Sequence, residues 1–289
     1  MGASFGAEPM AGLKPNLIYD VGMHRGEDTD FYLKNGFDVV ALEANPELIV
    51  HCKNRFQDAI AHGRLRIIEG AIAPTSAGEK VTFYRNRTYS YWGTIDKAWA
   101  ERNAKFGYSS DTIELSRVDI GELYHSIGIP FYLKIDVEGA DRLVLNGLKQ
   151  FGTRPRYLSI EAEKVDFSEL QAELALLREL GYTKFKPVQQ ASLPGTAIRI
   201  KTLDGSDMEY VFERQASGPF GEDIPQPWLS FDETLREYKR IFRLYALFGD
   251  NSLLMKMPIP IQTAIKQSYK VCTGYRGPLP GWYDTHAAL

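Results

Sequence analysis

The chain has 289 residues, 34 basic and 37 acidic side chains, a net charge of −3 and 44% hydrophobic residues, which suits a soluble α/β domain with a large core and extensions. That charge balance leaves no electrostatic footprint for nucleic acid, and Cys52 and Cys272 supply neither a disulfide framework nor a zinc-ligand pair. No apolar stretch is long enough to cross a bilayer, and the start has neither a signal-peptide pattern nor, with Gly6 at the deciding position, a myristoylation pattern; a cytoplasmic protein without a membrane partner is expected.

Residues 1–14 are small, glycine-containing and aperiodic, and read as a flexible arm. Residues 17–46, LIYDVGMHRGEDTDFYLKNGFDVVALEANP, read as strand, glycine turn, helix and strand. An apolar run at 17–19 ends at Asp20, Gly22 and Gly26 follow, and Glu27 and Asp28 open a helix whose N-terminal dipole suits their charge. Gly36 closes that helix. A second strand over 37–42 carries Glu43 at its carboxyl end. In an open parallel sheet ligands bind outside the carboxyl ends of the strands, so Asp20, the glycine turn and Glu43 converge on one crevice.

The glycine spacing bears on the ligand. A dinucleotide fingerprint needs a middle glycine for backbone approach to a pyrophosphate; here His24 occupies that place. A nucleoside with an amino-acid tail fits better. Glu43 can accept hydrogen bonds from both ribose hydroxyls, and the turn can hold a carboxylate, which describes S-adenosylmethionine. A generic α/β nucleotide-binding turn with an unrelated ligand is the alternative.

Asn45, Pro46 and Glu47 form a helix start, with Leu48, Cys52, Phe56 and Ile60 at helical spacing and Gly63 as the stop. Cys52 is expected in the core. A third strand over 65–72 leads into the loop 70–74, and strand order 3-2-1 puts Ala71 and Ile72 where a flat base would lie. The basic pairs Arg64/Arg66 and Arg85/Arg87 read as solvated strand faces, with contact to a phosphate-bearing substrate as the alternative. Residues 80–84 form another strand, and the aromatic segment 89–94, with Trp92, is either a lid or an aromatic corner packed on the sheet. Residues 112–118 alternate like a strand and 120–127 like a short helix.

In FYLKIDVEGADRLVLNGL, residues 131–148, a buried strand at 131–135 releases Asp136 and Glu138 past its end, and a helix follows with Leu143, Val144 and Leu148 inward. Residues 157–160 form a fifth strand ending in Glu161 and Glu163. Ser168 and Gln171 read as a capping box, and 182–188 as a sixth strand. Strands alternating with helices imply a parallel sheet covered on both faces. Residues 197–213 read as a hairpin around Asp204 and Gly205, one strand of which could complete the sheet. The loop 217–228 is aperiodic. Ser230 and Glu233 cap a helix to Phe248 with Leu235, Tyr238, Phe242 and Tyr245 inward, and the tail LPGWYDTHAAL carries Asp284 and His286. The domain is drawn over 15–213, with a C-terminal loop, helix and tail over 214–289 that packs on it and could cover the active site.

A carboxylate at a strand end beside the crevice can act as a base within hydrogen-bond reach of a bound hydroxyl. Asp136, directly past the strand, is the first choice; its alternative is to hydrogen-bond the cofactor or cap the next helix. Trp92, Glu138, Glu161 and Glu163 are the acceptor-side candidates. A metal bridging Asp136 and Glu163 is conceivable, but the spacing does not demand one and none is expected. His24 reads as a turn residue contacting the cofactor's carboxylate rather than as a base. His286 is either a base delivered by the folded-back tail or a surface residue. Lys134 either pairs with a neighbouring carboxylate such as Glu161 or reaches the crevice; the ion pair is favoured, since an unpaired buried ammonium is costly.

Two stretches, DVGMHRGEDTDFYLKNGFDVVALEANP and YLKIDVEGADRLVLNGL, resemble the FkbM-type family of S-adenosylmethionine-dependent methyltransferases, and SGPFGED and GWYDTHA resemble a bacterial branch of it. The similarity spans roughly 15–235 and the tail. It implies a class I, Rossmann-like α/β/α sandwich on a mainly parallel seven-stranded sheet. It also implies S-adenosyl-L-methionine as cofactor and hydroxyl groups of natural products or sugars as typical acceptors. Carried over by position, Asp20, Gly22 and Gly26 line the methionine end, Glu43 holds the ribose, Ala71 and Ile72 flank the adenine, and Asp136 faces the transferred methyl; His24 and Asn45 are further cofactor-binding candidates. The expectation is an O-methyltransferase with a small-molecule or glycosyl acceptor. Its rivals are a cofactor-binding protein without turnover and a nicotinamide-dependent oxidoreductase. The oligomeric state stays open.

Overall fold

The structure, a computed structural model, describes residues 12–88, 93–105, 107–137, 139–164, 166–249, 252–279 and 281–289. It divides into two compact units, Met1–Leu158 with Arg199–Tyr210, and Ser159–Ile198 with Val211–Leu289. This division does not follow the 213/214 border drawn from the sequence.

The first unit opens with β1 (Leu13–Val21), α1 (Glu27–Lys34) and β2 (Asp38–Glu43). β1 takes in Leu13 and Lys14, which the sequence reading placed in the arm; the first eleven residues of that arm lie outside the described residues. Next come α2 (Pro46–Arg55), α3 (Gln57–Ala61), β3 (Leu65–Glu69) and β4 (Ala71–Ile72). The single helix expected from Leu48 to Ile60 breaks at Phe56, which leaves Ile60 exposed. The expected strand 65–72 also breaks. Gly70 adopts φ +138°, and a Cβ there would lie 2.4 Å from the Ser116 carbonyl oxygen, so the chain leaves one sheet and joins another at this residue.

The unit continues with β5 (Lys80–Asn86), α4 (Lys97–Lys105), β6 (Ser110–Val118), α5 (Ile120–Ile127), β7 (Ile129–Ile135) and α6 (Asp141–Gly147). β4, β6 and β5 form a separate three-stranded sheet. On it, Arg85 pairs with Asp111 and Glu47, and Arg87 with Asp111; Arg64 pairs with Asp38. These arginines are therefore neutralised within the protein.

β8 (Tyr157–Glu161) spans the border between the units, and α7 (Phe167–Glu179), β9 (Lys184–Gln189), β10 (Ala197–Lys201) and β11 (Asp207–Val211) follow. The chain closes with α8 (Phe231–Phe248), α9 (Ile259–Thr273) and β12 (Tyr283–Ala288). The main sheet has seven strands in the order β3-β2-β1-β7-β8-β12-β9. β1 pairs in parallel with β2 and β7, β2 in parallel with β3, and β12 antiparallel with β9. The order reverses at β1 and β7, which makes the carboxyl ends of β1, β2 and β7 the switch-point crevice. The hairpin β10-β11 forms its own two-stranded sheet around Gly205. It does not complete the main sheet as expected; the tail does so as β12.

In the first unit Ile18, Tyr19 and Val21 of β1 and Leu133 of β7 are fully excluded from water, and Tyr19 stacks on Tyr124 of α5 at 5.6 Å. Each such side chain contributes on the order of 1.5–3 kcal/mol. In the second unit α7 is capped by Asp166, whose carboxylate accepts from Ser168 N at 2.8 Å, not by the expected Ser168/Gln171 box. α8 has the expected Ser230/Glu233 capping box. Its buried residues are Thr234, Tyr238, Ile241, Leu244 and Phe248, so the apolar stripe is rotated by about one residue from expectation. Phe242 turns sideways onto Phe167 of α7, 5.1 Å between ring centres. Among the described residues no helix is long and apolar enough to cross a membrane.

Candidate active site: the cleft at the ends of β1, β2 and β7

Beyond Val21 the chain turns sharply at Gly22, whose φ is +92°. A Cβ on Gly22 would stand 1.9 Å from the carbonyl oxygen of Asp136, so only glycine lets the turn lie against the end of β7. His24 also has positive φ, +51°, unusual for a side chain of its kind. Gly26, in the left-handed conformation, is the N-cap of α1.

The turn is held by its neighbours. Gly22 N and Met23 N both donate to Leu42 O, and Gly26 N to Met23 O. His24 N donates to Glu43 Oε2 at 2.8 Å, and Arg25 N to Glu27 Oε2 at 3.1 Å. Each backbone N–H from Gly22 to Gly26 is thus committed within the protein, so these amides are not the free anion cradle that the sequence suggested. Glu27 also faces His24 Nδ1 at 3.2 Å. Burial works against the Glu27 charge, but His24 outweighs it and holds the carboxyl below its ordinary range. Buried Cys52 fills the expected core position, with its Sγ donating to His24 O.

Glu43, at the end of β2, accepts from three backbone amides: His24 N on Oε2, and Ala44 N at 3.0 Å and Asn45 N at 2.8 Å on Oε1. Burial pushes its carboxyl up against the lowering effect of those amides. A carboxylate offers about four lone-pair sites, so about one remains uncommitted, where the sequence reading needed two for a pair of ribose hydroxyls. Asn45 is the N-cap of α2, its side chain accepting from Glu47 N, and it is buried away from the cleft wall.

Gly22, His24 and Glu43 share one cleft with Ala71, Ile72 and Asp136. Leu42, Leu48, Phe83 and Ile95 complete an apolar slot beside them. The cavity volume of the cleft is about 100 Å³, below the roughly 300–1,000 Å³ of small-molecule sites. Phe83 and Ile95 were missed by the sequence reading. Thr94 bridges to Tyr84 through two backbone hydrogen bonds, which carries Gly93, Thr94 and Ile95 to the cleft from a distant stretch of chain.

Asp20 is elsewhere. Its carboxylate is fully buried beneath the turn, where Oδ2 accepts from Thr29 Oγ1 at 2.6 Å and Oδ1 lies 3.3 Å from Lys134 Nζ. Burial pushes it up against the pull of Lys134. Lys134 does not pair with Glu161. Its ammonium donates to Gly22 O at 3.0 Å and stands 3.4 Å from Asp28 and 3.6 Å from Asp136. Alternation in β7 turns Lys134 toward β1 and α1, where buried carboxylates wait. Burial acts to lower its pKa, but Asp20, Asp136 and Asp28 outweigh it and hold the ammonium well above the ordinary lysine range.

Asp136 lines the cleft with its side chain about half exposed. Glu161 and Glu163 lie in the second unit: Glu161 pairs with Lys164 at 2.8 Å, and Glu163 accepts from the backbone amides of Lys164 and Asp166. Trp92 and Glu138 fall outside the described residues. His286 is neither a surface residue nor on a mobile tail. It sits inside β12 opposite Lys186 with both ring nitrogens lacking hydrogen-bond partners, and burial followed by the Lys186 charge pushes it down to about 3. Among the described residues no group of three or more His, Cys, Asp or Glu side chains is arranged to hold a metal ion.

Sheet order, switch-point turn and strand-end acid define a class I type α/β protein with its crevice at the carboxyl ends of β1, β2 and β7. The methyltransferase FkbM domain matches residues 20–184, more than half of the chain, and the protein belongs to that family. No curated protein matches it at significant similarity. Among solved structures it is similar to precorrin-6y C5,15-methyltransferase from Geobacter metallireducens, at 12% identity over 69% of this chain and 77% of that one, TM-score 0.35. It is also similar to the glycopeptide N-methyltransferase MtfA complexed with S-adenosyl-L-methionine, at 11% identity over 98% and 89%, TM-score 0.31. Likeness this distant carries nothing about substrate.

Proposed function

We propose that the protein is a cytoplasmic S-adenosylmethionine-dependent O-methyltransferase acting on a hydroxyl of a small-molecule natural product or sugar. The observation that carries this reading is the half-exposed carboxylate of Asp136 on the same cleft as the Gly22 turn and Glu43. The cleft suits the cofactor by the chemistry of its walls. Its apolar slot suits a flat base, and Glu43 lines the cleft with about one acceptor site uncommitted by backbone amides. Glu43 would hold the ribose, Ala71 and Ile72 would flank the adenine, and His24 would stand by the amino-acid end. The bound cofactor supplies an electrophilic methyl on a sulfonium.

The chain's own contribution is alignment and proton removal. Asp136 accepts the acceptor's hydroxyl proton as the oxygen–methyl bond forms in line with the breaking sulfur–methyl bond. A cofactor held by Glu43 and the Ala71–Ile72 wall would supply the methyl and retain the bonding pair on its sulfur.

The test is an acceptor panel with methyl-labelled cofactor. Asp136→Asn is expected to lower turnover by on the order of 100-fold or more, with affinity for S-adenosylhomocysteine changed by less than about 10-fold, or ~1.4 kcal/mol. A fully active variant would remove Asp136 from the base role, and label transferred to nitrogen or carbon acceptors alone would remove the O-methylation.

A further inference from the structure

We infer that Lys134 is a positioning residue that couples the two halves of the cleft, acting as a fixed internal cation between the cofactor turn and the acceptor-facing carboxylate; this rests on the methyltransferase reading above. Lys134 lies within β7, a strand whose other residues are almost all buried, and is itself 3% exposed. A buried ammonium needs one carboxylate for charge balance. This one stands among three, Asp20, Asp28 and Asp136, at 3.3, 3.4 and 3.6 Å. Two of them are closed off from water, whereas Asp136 faces the cleft. The cluster is therefore more than a sealed structural pair.

Its hydrogen bond identifies the second half. Nζ donates to the carbonyl oxygen of Gly22 at 3.0 Å, and Gly22 is the residue packed against the Asp136 carbonyl. Asp136 N in turn donates to Val21 O at 2.8 Å. The turn and the end of β7 touch through their backbones, and one ammonium ties the turn's carbonyl to the carboxylate beyond the strand. A shift of the turn on cofactor binding moves an oxygen held by Nζ, and the same Nζ attracts Asp136. Lys134 thus lets the occupied cofactor half bear on the carboxylate that meets the acceptor.

Coupling of this kind is a pairwise energy, and a double-mutant cycle reads it. The probe is S-adenosylhomocysteine, measured by calorimetry on the full chain. In the wild-type background Asp136→Asn is expected to change its dissociation constant by about 3-fold or more, below the 10-fold limit set above. In a Lys134→Gln background the same change is expected to fall below about 1.5-fold, and Lys134→Arg, which keeps the charge, is expected to restore most of it. Lys134→Gln alone leaves buried carboxylates unbalanced. Lys134→Gln/Asp28→Asn removes one charge of each sign and supplies the background if the single variant does not fold.

An equal effect of Asp136→Asn in both backgrounds would mean that Asp136 meets the cofactor directly and would overturn the coupling. Failure of the wild type to bind S-adenosylhomocysteine would instead refute the methyltransferase reading itself. The two failures are distinct.

Discussion

Replacing Glu43 with glutamine isolates the strand-end acid with little change of shape. The carboxylate accepts three backbone N–H groups, two on Oε1 and one on Oε2. A carboxamide can keep the pair from Ala44 and Asn45 on its oxygen, but its NH₂ then meets the His24 N–H, donor against donor. One charge-assisted hydrogen bond is lost, worth about 1.5–3 kcal/mol, and the other two weaken. Relief of the buried charge, which shows in the raised carboxyl pKa, offsets part of this. A net loss of about 1–2 kcal/mol in folding stability follows. Cofactor affinity should fall further, because the ribose loses an ionised acceptor and the His24 turn loses its anchor: roughly 10- to 100-fold for S-adenosylhomocysteine. Urea unfolding measures the first quantity and calorimetric titration the second. A Glu43→Gln protein that binds S-adenosylhomocysteine as the wild type does would refute the ribose assignment, whatever its stability.

Gly22→Ala places a Cβ 1.9 Å from the Asp136 carbonyl at φ +92°. A loss of about 3 kcal/mol or more in urea unfolding, with loss of S-adenosylhomocysteine binding, is expected, and a near-neutral result would mean the turn and strand end do not meet. Ser230→Ala removes the α8 capping box and is expected to cost about 1 kcal/mol without affecting cofactor affinity; a change in affinity would contradict that separation. For His286, the folded pKa of about 3 lies below the ordinary value of 6.5. The unfolded chain binds more protons between these values, so stability is complete above the ordinary value and falls as pH drops toward the folded one. The loss between pH 7 and pH 5 is about 2 kcal/mol. His286→Leu should abolish that slope in urea midpoints, and parallel pH dependence in both proteins would count against the buried, unpaired imidazole.

Much of the scaffold around the cleft was legible because its signals are local. Gly22, the acid at the end of β2 and the apolar run before Asp136 lie within short windows, where period and turn chemistry are read directly. The α8 start was equally clear, since Ser230 and Glu233 satisfy one another's backbone donors three residues apart. Legibility weakened where a position's role depends on a remote neighbour. Phe242 has helical spacing toward the core, yet α7 offers Phe167 and turns it sideways. The 65–72 run has strand composition, yet the Ser116 carbonyl crowds Gly70 and the chain changes sheets there.

By itself, then, the sequence determined the strand–turn–helix unit at 17–46, the strand-end positions of Glu43 and Asp136, and the family to which these motifs point. Their determinants are the backbone freedom of glycine, capping chemistry and hydrophobic period, all properties of neighbouring residues. Only the tertiary structure decided that Lys134 answers to Asp20, Asp28 and Asp136 rather than to Glu161. It likewise decided that the tail enters the main sheet as β12 and buries His286, and that Phe83 and Ile95 wall the cleft. The physical reason is the same in each case. Strand partners, buried-charge partners and cleft walls are chosen among groups far apart along the chain, by the shape and electrostatics of what is already packed.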